Sequence, residues 1–117
     1  MIIKQNINEY TVEELITIKE EALKNARETV EKHLLQNGEY GYCGFAWTNI
    51  YDIKGSTKLG RNMKKAGFEK DYSGNFSLWN PSQSYTQCMY TKEIGAEAAA
   101  AIFRKAGFDS YAHSRAD

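Results

Sequence analysis

Gly41-Tyr42-Cys43-Gly44-Phe45-Ala46-Trp47-Thr48-Asn49-Ile50-Tyr51-Asp52-Ile53 is the longest β-like run in the chain. Aromatic and β-branched residues dominate it, and these fit a pleated sheet surface. Alternation sends Cys43, Phe45, Trp47 and Asn49 to one side and Tyr42, Gly44, Ala46, Thr48 and Ile50 to the other. Both sets are largely apolar or small. The pattern predicts a central strand covered on both faces, with Cys43, Phe45 and Trp47 buried. Gly44 and Ala46 leave room for a helix to pack close.

On its N-terminal side, Ile2-Ile3 is compatible with a short strand. Thr11-Val12-Glu13-Glu14 reads as a capping box. A long helix to about Gln36 follows, with Leu15, Ile16, Ala22, Leu23, Ala26, Val30 and Leu34 as its apolar stripe. Asn37-Gly38 supplies the stop. Its charges, including Lys19, Glu20, Lys24, Arg27, Glu28 and Glu31, read as a solvated face. On the C-terminal side, Ser56 or Thr57 caps a short helix with Leu59 and Met63 inward and Gly67 at its end. Residues 70–75 read as a loop or hairpin turn before a strand within Phe76-Ser77-Leu78-Trp79. Thr91 caps an alanine-rich helix from Lys92 to Ala106, and Gly107 ends it. A final strand covers Phe108 to Ser114. Lys65-Ala66-Gly67-Phe68 and Lys105-Ala106-Gly107-Phe108 share one turn chemistry, which predicts two helix–strand units.

The chain has 117 residues, a single-domain length, and a formal net charge of zero. Zero net charge argues against nucleic acid as a partner. Cys43 and Cys88 are too few for a zinc signature and read as reduced thiols. No apolar run approaches the roughly 20 residues that span a bilayer, and no leader is visible after Met1, so a cytoplasmic protein without a membrane partner is expected.

Three stretches compete as ligand sites. Gly55, Ser56, Thr57, Lys58 and Arg61 form a helix start with local positive charge, which suits an anion; the alternative is an ordinary capped surface helix. His113 and Arg115 near the terminus offer a titratable ring and a planar fork; the alternative is a frayed end. Trp79, Tyr85 and Gln87 combine aromatics with an amide that could clamp a base; the alternative places Trp79 in the core. Neither Cys43, His33 nor the paired carboxylates of the long helix fall into a recognisable catalytic arrangement, so no enzyme, cofactor or metal is expected.

Cys43-Gly44-Phe45-Ala46-Trp47, Trp79-Asn80-Pro81, Gln87, Lys92-Glu93, Gly95-Ala96 and Ser114-Arg115-Ala116-Asp117 together resemble a group of small, uncharacterised proteins of tailed bacteriophages. The resemblance covers roughly residues 40–117. It implies a phage accessory protein acting in the bacterial host cytoplasm, and it assigns no residue a role.

The expected fold is α+β, one domain over 1–117, with a small sheet under the long first helix and the alanine-rich last helix. The expected function is non-enzymatic binding of a small anionic, nucleotide-derived ligand, such as a bacterial defence signal. The alternative is a protein-interaction module that inhibits a host enzyme. A homo-oligomer is the route by which Arg115 of one copy could reach the helix start of another.

Overall fold

A computed structural model describes residues 1–38, 43–84 and 88–116. A 3-10 turn at Ile7–Glu9 precedes helix α1 (Val12–Asn37), strand β1 (Gly44–Ile50) and helix α2 (Lys58–Lys65). Strands β2 (Glu69–Lys70) and β3 (Phe76–Trp79), helix α3 (Met89–Lys105) and strand β4 (Ser110–Ala116) complete the chain. The sheet order is β2-β3-β1-β4, with every neighbouring pair antiparallel. From β1 onward the connectivity is a split β-α-β pair, β–α–β–β–α–β, with α1 added in front.

Local chemistry sets the helix limits. Thr11 Oγ1 accepts from the Glu14 N–H at 3.1 Å and Glu14 accepts from the Thr11 N–H at 3.0 Å, closing the expected capping box. The inward face of α1 is Leu15, Ile18, Ala22, Ala26 and Val30. Ile16, expected in that stripe, is exposed, because the step from Leu15 that returns to the same face is three residues and lands on Ile18. Ile2-Ile3 forms no strand. Helix α3 starts at Met89, with Cys88 as N-cap and no side-chain capping bond. Thr91, expected as the cap, lies buried in the first turn instead.

The two echoed stops are the same motif in space. After α2, Phe68 N–H reaches Met63 O at 3.0 Å and Gly67 N–H reaches Lys64 O at 3.1 Å. After α3, Phe108 N–H reaches Phe103 O and Gly107 N–H reaches Arg104 O, both at 3.0 Å. Gly67 and Gly107 sit at φ 95° and 102°, as this paired stop requires. Each delivers a phenylalanine to the core, and both rings meet Phe103 edge-on, at 5.8 and 6.5 Å.

The core lies on one side of the sheet only. Helix α3 rests on β1 and β4, and α1 rests on α3. Leu15, Ile18, Ala22, Phe103, Ile50, Phe76 and Leu78 share one buried cluster. The expectation of a strand covered on both faces is therefore corrected. Gly44, Ala46, Thr48 and Ile50 are buried under helices, whereas Cys43 is exposed and Phe45 and Trp47 are half-buried. The α1 and α3 layer covers one face, and no described element lies over the other.

This asymmetry predicts a contrast in urea denaturation. Phe103→Ala should lower stability by about 3–5 kcal/mol through a core cavity. Trp79→Ala, on the open face, should cost less than about 1 kcal/mol.

Candidate functional site

The open face is a grid set by strand register. Trp47 of β1 pairs with Trp79 of β3 and with His113 of β4. All three side chains emerge on the uncovered side, and their rings line up across three strands. Trp47 stacks on Trp79 at 5.5 Å and 11°, and on His113 at 6.0 Å and 19°. Trp79 keeps 59% of its surface in solvent.

The row above holds charge. Arg115 pairs with Phe45, and its guanidinium carbon lies 5.5 Å from the Phe45 ring centre. Lys92 reaches the same ring from the start of α3, with Nζ at 5.4 Å. It is only 9% exposed and donates to Gly44 O at 2.9 Å. Ion pairs among the described residues are Lys4–Glu14 and Arg104–Glu97, so neither Lys92 nor Arg115 has a carboxylate partner there.

The row below is polar. Asn49 pairs with Ser77 and Tyr111 and is 7% exposed. Its Nδ2 donates to Tyr51 Oη at 3.5 Å, and Tyr51 Oη in turn contacts His113 Nε2. Its Oδ1 is buried without a partner among the described residues. An unpaired buried carbonyl costs about 1–3 kcal/mol, so such a group calls for an explanation.

Between these rows and the turn at 71–73 runs a cleft of about 260 Å³, bordered by Trp47, Asn49, Ser77, Trp79 and Arg115. Asp71 stands on its far wall. The Ser73 hydroxyl, at 2.6 Å, is the main cause that holds its carboxyl below the usual range; the Asn75 and Ser73 N–H groups, at 3.0 and 2.9 Å, add to it. Asp71 thus presents a carboxylate to the cleft at neutral pH.

Of the residues expected to bind, Trp79, His113 and Arg115 come together here. Gly55, Ser56, Thr57, Lys58 and Arg61 do not join them. Thr57 caps α2 through the Gly60 N–H at 3.1 Å, and Arg61 donates to the Ser56 carbonyl of its own loop. That loop follows Ile50, whereas Arg115 lies opposite Phe45, five residues or roughly 17 Å back along β1. Tyr85 and Gln87 lie outside the described residues. Phe45, Trp47, Asn49 and Lys92 were not among the expected site residues. Tyr111, His113 and Arg115, alternating with small residues in the last strand, are the signal that one face is wet.

Comparison with family models, curated proteins and solved structures gives no match for this chain.

The depressed Asp71 carboxyl makes a signed prediction. A lowered folded-state value stabilises the fold above the ordinary carboxylate range and loses that contribution as pH falls below 3.8. In thermal melts the advantage of wild type over Asp71→Asn should be full at about pH 6 and should vanish toward about pH 2.

Proposed function

We propose that the open sheet face binds a small, nucleotide-derived anion, with its base on the exposed Trp79 ring, which Trp47 backs, and its phosphate beside Arg115. The observation that carries this reading is the stacked Trp79–Trp47–His113 row flanked by two cations without carboxylate partners among the described residues. Base–aromatic stacking contributes about 1–3 kcal/mol per base. A charge-assisted bond from a guanidinium adds about 1.5–3 kcal/mol. Lys92 is too buried to be the main contact, but its charge at the start of α3 adds to the positive field.

Size favours a small ligand. The cleft of about 260 Å³ falls just under the roughly 300–1,000 Å³ typical of pockets for whole drug-sized molecules. It seats one ring, with the remainder of the ligand along the strand surface. The resemblance to phage accessory proteins supports reading the binding as sequestration, in which a bacterial defence signal is held and left chemically intact.

Isothermal titration with 3′,5′-cyclic mononucleotides, cyclic dinucleotides and ADP-ribose tests this. At least one should bind and quench tryptophan fluorescence. Trp47→Ala, Trp79→Ala and Arg115→Ala should each weaken it tenfold or more, equivalent to about 1.4 kcal/mol. Absence of binding across the panel, or unchanged affinity in all three variants, would overturn the reading. An oligonucleotide that binds far more tightly than any of these would replace the small ligand with a single strand.

A further inference from the structure

We infer, independently of the binding reading above, that Cys43 and Cys88 are a redox-responsive pair. A small disulfide such as oxidised glutathione converts them into a cross-link between the start of β1 and the start of α3.

Backbone pairing puts the two residues together. Cys43 and Cys88 face each other in an isolated antiparallel bridge, one position before β1 and α3 respectively. Residues opposite one another in such a pair have Cα atoms roughly 4.5–5.5 Å apart and send their side chains to the same face. A disulfide spans Cα separations of roughly 4.4–6.8 Å, so either form of antiparallel pairing falls inside its range. Both residues are thiols in the structure.

The neighbouring residues hold that pairing in place. Cys88 is the N-cap of α3 and is extended, at φ −68° and ψ 113°. One residue further along, a Cβ on Gly44 would lie 2.9 Å from Met89 Cβ, so the two backbones are in close contact. In the next turn, Lys92 N–H donates to Cys88 O at 3.2 Å and Lys92 Nζ donates to Gly44 O at 2.9 Å. The ends of the 43–88 loop are therefore already together in the folded chain, and folding has met the entropy of closing it.

Exposure sets the order of events. Cys43 is exposed and Cys88 is buried. The nucleophile is a thiolate, and attack requires access. The Cys43 thiolate attacks one sulfur of oxidised glutathione. A mixed disulfide forms, and the glutathione thiolate that leaves takes up the proton Cys43 lost. The Cys88 thiolate then attacks the Cys43 sulfur, and its electron pair becomes the new S–S bond. The second glutathione leaves and takes up the proton from Cys88. The two protein thiols are oxidised, the glutathione disulfide is reduced, and nothing else is consumed.

The cross-link encloses β1, α2, β2 and β3. Closing that loop removes conformations from the unfolded chain, so the oxidised protein is the more stable form.

The test treats the reduced full chain with oxidised glutathione, alkylates the remaining thiols and maps the cysteine peptides by mass spectrometry, with thermal melts alongside. Wild type should end with Cys43 joined to Cys88 and no glutathione attached. Its Tm should rise by about 5 °C or more and return on addition of dithiothreitol. Cys88→Ser should retain a glutathione on Cys43, and Cys43→Ser should react at least tenfold more slowly than wild type. Neither variant should show the rise in Tm. If a variant does not fold, the wild-type peptide map and its melting shift decide alone. A lasting glutathione adduct in wild type, chains joined to one another through Cys43, or thiols left unreacted would each overturn the pairing. A cross-link that leaves Tm unchanged overturns the stabilising effect.

Discussion

Strand β1 and helix α3 approach so closely at Gly44, Ala46 and Thr48 that the strand has room there only for small side chains. A Cβ on Gly44 would sit 2.8 Å from Met89 Sδ and 2.6 Å from the Arg115 carbonyl. The contact is also bonded. Thr48 Oγ1 donates to Ala96 O at 2.7 Å and Lys92 Nζ donates to Gly44 O at 2.9 Å. Helix α3 answers with small residues, Ala96, Ala99 and Ala100, all buried. Dispersion falls off steeply with separation, so this fit is where α3 gains its hold on the sheet.

The consequence is carried through the strand by its period of two. If the helix side takes Gly44, Ala46 and Thr48, the aromatic residues of the same strand lie on the other side. Phe45 and Trp47 are forced outward together, and register places Trp79, His113 and Arg115 beside them. A wet face bearing this much aromatic surface is costly to leave uncovered, which is why such a face reads as an interaction site. The close packing of one side and the exposed aromatic grid of the other are one constraint seen from two faces.

The same period explains what could be read from the residues alone. The capping box and both glycine stops are short-range chemistry, and they emerge where expected, whereas the two-residue strand β2 carries no signal of its own. The α+β architecture, with its long first helix and alanine-rich last helix, follows from those elements. What periodicity cannot tell is which side a helix lies on. Phe45 and Trp47 look like core in a run where Gly44 and Ala46 look like space. Only the close approach of α3 reverses that reading. The start of α3 was misplaced for a related reason: Thr91 is a good capping residue, but the helix continues past it to Met89 because Gly44 receives the Met89 side chain. The helix start at Gly55 and Ser56 carried the expected charge, yet Arg61 donates to the Ser56 carbonyl of its own loop. Trp79, His113 and Arg115 could be picked out singly by residue type, but their union depends on antiparallel register between strands distant in sequence.

The aromatic row is ordered within the folded chain itself. Trp47 is held between Trp79 and His113, His113 is tied to Tyr51, and Phe45 is gripped by Lys92 and Arg115. Freezing a rotamer-rich side chain on binding costs about 0.5–1.5 kcal/mol, and here much of that ordering belongs to the folded state. The far wall of the cleft is different. Asp71 and Ser73 fix the turn through their own hydrogen bonds, while Tyr72 between them stands fully in solvent. On the proposed binding reading, a ring laid against Trp79 meets a surface already ordered by its neighbours, so little further ordering is needed there.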